Sequence, residues 1–283
     1  MIEILACGSG LSLQDGGRHG WRRYGVPAGG AMDARSMALA NTLLGNAPEA
    51  PLLEIVQQGA KIQILQDMWL ALAGGDFCSD FATGCAQPVA AGQRLIFDKK
   101  ATGRYSYLAL PGGVQADSWL GSVAVDVRNG MGLPIQAGSR IMSQGAQPTI
   151  VTPQAVARRI ARDQQSHIPG QEIHLKLYRG PQFTSFSSVA QQQFITNEWS
   201  VSTRSDRTGY RLEGLVLEVP ASIASEPVLP GSFQVPGNGQ PIITMHDGPT
   251  VGGYPKIAVL ADTDLDRLAQ CVPGTKLTFS WQT

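Results

Sequence analysis

Lys61-Ile62-Gln63-Ile64-Leu65 alternates polar and apolar side chains. That is the period-two pattern of a strand with one buried face. Outward from it, the chain repeats short apolar runs between turn residues. Residues 69–73, 105–110, 173–177, 215–219, 241–245, 257–260 and 276–279 are predicted strands. Gly74-Gly75-Asp76, Pro111-Gly112-Gly113, Pro236-Gly237-Asn238-Gly239 and Val272-Pro273-Gly274 punctuate them, each carrying the residues that turns require. The opening Met1-Ile2-Glu3-Ile4-Leu5-Ala6 lacks a basic stretch and a long apolar run. It reads as a first strand, not a signal peptide.

Composition agrees with a strand-and-turn chain. The 283 residues include 33 Gly and 18 Pro, and 43% are hydrophobic, too many for a disordered segment. No apolar run approaches the roughly 20 residues that cross a bilayer. Lys and Arg balance Asp and Glu at 22 each, so no general pull toward nucleic acid or anionic membrane is expected. Cys7, Cys78, Cys85 and Cys271 form no C-x-x-C pair, and the four histidines are scattered. Reduced thiols in a cytoplasmic protein without a histidine-based metal site are the expectation.

Helices are predicted at 33–44, from 152 to about 165, and at 262–270. Asp33 is a capping residue and Gly45 a left-handed stop for the first. Thr152-Pro153 opens the second, whose Arg158, Arg159 and Arg162 leave a thin apolar side suited to a connector. The polar stretch 164–171, with Pro169-Gly170, is the predicted linker. The expected organisation is an N-terminal β-domain at 1–150, a connector at 151–171 and a C-terminal β-domain at 172–283. The fold class is mostly β, with two barrel-like domains and a few short helices.

Three segments hold more polar and glycine residues than turns need. The first, from Gln14 to Asp33, contains Asp15, Arg18, Arg22 and Arg23 among six glycines and leads into a helix N-terminus. Such a terminus suits a carboxylate or phosphate, and arginine forks match the same anions. The second, from Ser202 to Gly214, contains Arg204, Asp206, Arg207, Tyr210 and Arg211. The third, from His246 to Lys256, joins His246 and Asp247 to Gly252-Gly253-Tyr254-Pro255-Lys256. There a base with its orienting acid, or a Mg²⁺ ligand, would fit. A solvated loop, a salt-bridged turn and a capped hairpin are the respective structural alternatives. No P-loop, G-x-S-x-G elbow or G-x-G-x-x-G fingerprint is present, so a bound nucleotide needs another device.

In their order, these segments resemble the biotin-dependent carboxyltransferase-like family, which includes the C subunit of 5-oxoprolinase, the kinase-inhibitor antagonist KipA, allophanate hydrolase subunit 2-type proteins and half of the urea carboxylase carboxyltransferase domain. The resemblance rests on Gln14-Asp15-x-Gly17-Arg18-x-Gly20, Gly30-Ala31-Met32-Asp33, Leu53-Glu54, Leu120-Gly121-Ser122, Ser205-Asp206-Arg207-x-Gly209-Tyr210-Arg211-Leu212-Glu213-Gly214, Pro230-Gly231-x-x-Gln234-Val235-Pro236 and Gly252-Gly253-Tyr254-Pro255-Lys256. It departs at Val123-Ala124-Val125, where the family carries an Arg-Ser-Thr-like run, and at Thr208 in place of methionine.

The resemblance implies two cyclophilin-like β-barrels and a cytoplasmic complex with two further proteins, the KipI-like B subunit and the A subunit. It implies ATP- and Mg²⁺-dependent activation of 5-oxoproline, which the A subunit then helps open to glutamate. On this reading Arg204, Arg207, Arg211 and Lys256 clamp phosphate, with the Gly252 and Gly253 backbone. Gln14, Asp15, Arg18, Arg22 and Tyr254 bind substrate, with Arg18 and Arg22 on its carboxylate. Asp206 and Asp247 position the metal, and His246 relays a proton beside Asp247. An alternative is carboxyl transfer from carboxybiotin to urea or a related amide. Biotin would then ride on a separate carrier, since no Met-Lys-Met appears. A third is a non-catalytic regulator of a KipI-like partner.

Overall fold

A computed structural model describes residues 1–101, 103–145, 158–159 and 170–282. The chain divides into two compact units. Unit 1 comprises Met1–Arg18 and Gly29–Ile168, and unit 2 comprises His19–Ala28 and Pro169–Thr283. The first glycine-rich segment is thus divided between the units.

Unit 1 is built on two sheets. The smaller contains β1 (Ile2–Cys7), β4 (Ala60–Ile64), β7 (Arg94–Ile96) and β9 (Arg140–Ile141), in the order β7-β4-β1-β9. The larger contains β2 (Leu11–Gln14), β3 (Leu52–Val56), β5 (Met68–Gly74), β6 (Cys85–Val89), β8 (Tyr105–Ala109) and β10 (Arg158–Arg159), in the order β10-β6-β5-β8-β3-β2. Both sheets contribute to one core, in which Ile2, Ile4, Ile62 and Ile64 join Leu53, Ile55, Leu70, Leu72 and Leu108. The barrel expected of this half takes the form of these two sheets.

Strands β5 and β8 are buried almost throughout instead of alternating. Their second face is covered by α1 (Ala34–Leu44), which packs on both, and strands covered on two faces read as continuous apolar runs. Asp33 caps α1 by accepting the Ser36 N–H, and Gly45 ends it at φ 76°, a conformation that glycine adopts without steric cost.

Unit 2 contains a closed barrel. Its strands are β11 (Glu172–Arg179), β12 (Trp199–Val201), β13 (Gly209–Glu213), β15 (Ser232–Gln234), β16 (Ile242–Thr244), β18 (Lys256–Leu260) and β19 (Lys276–Trp281), in the order β11-β18-β15-β16-β13-β12-β19. Pairing of β11 with β19 is parallel and closes the ring. Along β11, Ile173, Leu175 and Leu177 are buried and their neighbours exposed, as a one-sided strand requires. A two-stranded arm, β14 (Glu226–Pro227) with β17 (Val251–Gly252), lies outside the barrel ladder.

The barrel core is aromatic. Phe194, from α2 (Ser188–Thr196), stacks on Phe279 at 5.3 Å and meets Phe233 edge-on at 5.6 Å. Each such ring pair adds about 0.5–1.5 kcal/mol beyond burial.

Sequence periodicity overlooked α2, because its Gln-rich turns show only Ala190 and Phe194 buried. The helix at 262–270 is present as α3 (Asp262–Ala269). The strand predicted at 215–219 is absent. Ladder pairing stops at Glu213, and Leu215 and Val216 are exposed. The helix predicted from 152 to about 165 and most of the linker at 164–171 lie outside the described residues. Within that stretch, Arg158 and Arg159 pair with Ala86 and Cys85 as a strand, not a helix. No helix among the described residues is long and apolar enough to cross a membrane.

Candidate functional site

The conspicuous motif Gln14-Asp15-x-Gly17-Arg18 belongs to unit 1, where it grips one backbone segment. Gln14 Nε2 donates to Val125 O at 2.9 Å. Asp15 accepts from Ser122 Oγ at 2.6 Å, from Val123 N at 2.8 Å and from Gly17 N at 2.8 Å. Arg18 Nη2 donates to Ala124 O, and its guanidinium lies over the Trp119 ring. All three side chains are buried. Gly30, at φ 86°, permits the motif to fold on itself, because a Cβ there would sit 3.0 Å from Asp15 O.

These contacts give Gln14 and Asp15 a structural task within unit 1, which Arg18 shares through Nη2. Their polar groups position residues 122–125. The gripped turn is tight, with Leu120 at φ 53° and Gly121 at φ 81°. Asp15→Ala removes acceptors from two buried donors. It should cost about 2–3 kcal/mol and raise hydrogen exchange at the Val123 amide at least tenfold. Unchanged protection there would show that the carboxylate does not hold this segment.

A second buried network sets the entry to α1. Glu54 Oε2 accepts the Met32 N–H at 2.8 Å and the Tyr107 hydroxyl at 2.9 Å. Tyr107 Oη in turn accepts the Asp33 N–H at 2.7 Å. Burial first, and then the Glu54 charge, pushes the Tyr107 hydroxyl well above its ordinary pKa. It remains a neutral donor.

The candidate site is in unit 2, where Arg22, Arg207, His246 and Asp247 come together from all three dense segments. Arg207 binds Asp247 with two parallel bonds, Nε to Oδ2 at 2.7 Å and Nη2 to Oδ1 at 2.9 Å. The backbone repeats the link, with Asp247 N donating to Arg207 O at 3.0 Å. Arg22 opens a 3-10 turn (Arg22–Tyr24). Its Nη2 donates to Val228 O and, at 3.4 Å, to Pro249 O. Arg22 Nη1 and His246 Nε2 are both buried without a hydrogen-bond partner. Burial, then the charges of Arg207 and Arg22, lowers the His246 pKa to about 4. The ring is neutral at physiological pH.

Several expected roles change. Asp247 directs its carboxylate to Arg207, so it does not orient His246 as base and acid partner. Asp206 Oδ1 caps the Thr208 and Gly209 N–H groups at 2.8 and 3.2 Å. Asp247, for its part, is engaged by Arg207. No group of three or more metal-ligating side chains gathers among the described residues.

Lys256 is buried, and its ammonium binds Glu226 and the Pro227 carbonyl, the latter at 3.1 Å. Gln182 completes this knot at 2.9 Å from Glu226. Hydrogen bonds from Lys256 and then Gln182 hold the Glu226 carboxyl below its usual pKa. Lys256 therefore fixes the β14–β17 arm. Gly252 belongs to that arm, and a Cβ on it would meet Gln234 Oε1 at 2.7 Å. Gly253 follows the arm, and its carbonyl accepts the Ile223 N–H at 3.1 Å.

Arg204 and Arg211, by contrast, are exposed on either side of buried Ser205, and Tyr254 is half-exposed. These three remain available to a ligand. The Lys256–Glu226–Gln182 knot and the Glu54–Tyr107 network were missed by sequence reasoning. Each joins residues too distant in sequence for any spacing to reveal.

The chain and its fold have known relatives. The chain is 34% identical to the C subunit of 5-oxoprolinase from Escherichia coli (strain K12) over 290 residues, which cover 99% of this chain and 90% of that protein. Among solved structures, TTHA0988 superposes with a TM-score of 0.88 at 32% identity. The match covers 99% of this chain, which spans 56% of the TTHA0988 chain. The urea amidolyase of K. lactis superposes with a TM-score of 0.89 at 26% identity, and this chain spans 19% of that longer one. The family defined by the carboxyltransferase domain, subdomain A and B, matches residues 24–281. The chain belongs to that carboxyltransferase domain family.

Proposed function

We propose that this chain is the C subunit of a cytoplasmic, ATP-dependent 5-oxoprolinase, working with a KipI-like protein as the B subunit, and with the A subunit of the same complex. One observation carries the reading: the similarity to the E. coli 5-oxoprolinase protein runs through 99% of this chain and 90% of that relative. The similarity to urea amidolyase is lower in identity and concerns one part of a much longer chain. It favours carboxyl transfer to an amide as the second reading.

A lactam is a poor electrophile, and ATP supplies the activation by phosphorylating its oxygen. The chain's own part is to bind and orient the substrate beside Arg22, Arg207 and His246. In this low-dielectric setting a fixed cation stabilises developing negative charge strongly. Exposed Arg204 and Arg211 fit a phosphate group. Mg²⁺ then arrives with the nucleotide instead of occupying a carboxylate cage, as is common for this ion.

The test is ATP-dependent glutamate release from 5-oxoproline by the three co-purified proteins. The expected result is release that needs all three of them and ATP. No release, with biotin-dependent carboxylation of urea in its place, would reverse the order of the two readings.

A further inference from the structure

We propose that Arg22 and His246 form a seat for one carboxylate of a small substrate. Under the function proposed above, which this inference refines, it is the carboxylate of 5-oxoproline. The seat is distinct from any phosphate-binding group.

Two nitrogens point to it. Arg22 Nη1 and His246 Nε2 are each buried and lack a hydrogen-bond partner. Buried polar groups in folded proteins are nearly always paired, so two such atoms in one cluster mark a place for an absent acceptor. Arg22 is held in position by its other nitrogen, which donates to the carbonyls of Val228 and Pro249. Pro249 is three residues from His246, and the Arg22 charge bears directly on the imidazole. A neutral imidazole with its proton on Nε2 donates one hydrogen bond. Arg22 Nη1 donates another, so a carboxylate can accept one on each oxygen.

The charge balance selects the class of ligand. Arg207 is neutralised by the bidentate Asp247, whereas the carbonyl partners of Arg22 leave its charge uncompensated. The cluster therefore carries one net positive charge, which matches a monoanion. A phosphate would bring more negative charge than the seat balances. Arg18, whose Nη2 is bound to Ala124 O in unit 1, takes no part.

The assembled complex should discriminate strongly between 5-oxoproline and 2-pyrrolidinone, the same lactam without the carboxylate. Arg22→Met should raise KM for 5-oxoproline by roughly ten- to hundred-fold, the weight of a charge-assisted hydrogen bond. Its effect on 2-pyrrolidinone should be at least tenfold smaller, so that the preference for the carboxylate-bearing lactam falls, and Arg22→Lys should recover part of that preference. Equal losses on both lactams would assign Arg22 a structural role and overturn the seat.

A second measurement does not depend on turnover. The ring ¹⁵N resonances of the four histidines are followed in the complex during titration with acetate, then with inorganic phosphate. Acetate should shift His246 in the wild type and not in Arg22→Met. No shift at His246, or an equal response to phosphate, refutes the carboxylate seat. A complex that fails to turn over 5-oxoproline but still shows the acetate shift would refute the proposed function and leave the seat standing.

Discussion

Asp247→Ala should be among the most damaging single substitutions in the chain, costing about 3–5 kcal/mol of folding stability. Arg207 and Asp247 are both largely buried, with side-chain exposures of 18% and 6%. Each charge is tolerated there because the other meets it at two points, and removing the carboxylate leaves a guanidinium desolvated and uncompensated. The same change frees Arg207 to move and adds a second positive charge beside His246 and Arg22.

Turnover by the assembled complex should therefore fall at least tenfold, and Arg207→Ala should do the same from the other side. Arg207→Lys keeps the charge but not the fork, and should recover only part of either loss. Urea unfolding of the variants, with steady-state rates for the complex, measures both effects. A stability change under about 1 kcal/mol for Asp247→Ala would show that solvent reaches the pair and that its bidentate geometry adds little.

The second large effect is a dependence of stability on acid centred on His246. Its folded-state pKa is lowered from 6.5 to about 4, chiefly by burial and then by Arg207 and Arg22. Below pH 6.5 the unfolded chain takes up this proton while the folded chain refuses it until about pH 4. Stability contributed by this group is thus complete above pH 6.5 and is lost as pH falls through that window. The full loss is at most about 3 kcal/mol. It is an upper bound, because Nε2 is buried while the residue as a whole is only half-buried. His246→Gln should remove this component. Subtracting its unfolding free energy from that of the wild type at pH 7, 5.5 and 4.5 isolates it. Parallel curves for the two proteins would mean that the ring titrates normally.

Both predictions concern residues that the sequence singled out, yet their partners came from elsewhere. His246-Asp247 suggested a dyad because the two are adjacent. In a turn, however, neighbouring side chains diverge, and Asp247 faces Arg207, 40 residues earlier. Lys256 looked like a free cation beside two glycines. It is instead buried and tied to half-exposed Glu226 and Gln182. Gln14, Asp15 and Arg18 looked like ligand-binding groups because they are polar in a glycine-rich loop. They are polar because a buried backbone segment, 122–125, needs its hydrogen bonds satisfied.

Local sequence was enough for the β-rich class, most strand positions, the capped helix after Asp33 and the three segments that matter. Those features depend on short-range periodicity and on residues whose φ preferences act within a few positions. Folding in three dimensions was needed to split the first segment after Arg18, with Arg22 in unit 2 beside His246 and Arg207. It also settled which charges are balanced and which nitrogens are left open. Those outcomes depend on burial and on pairings across as many as 227 residues, and no sequence spacing encodes either.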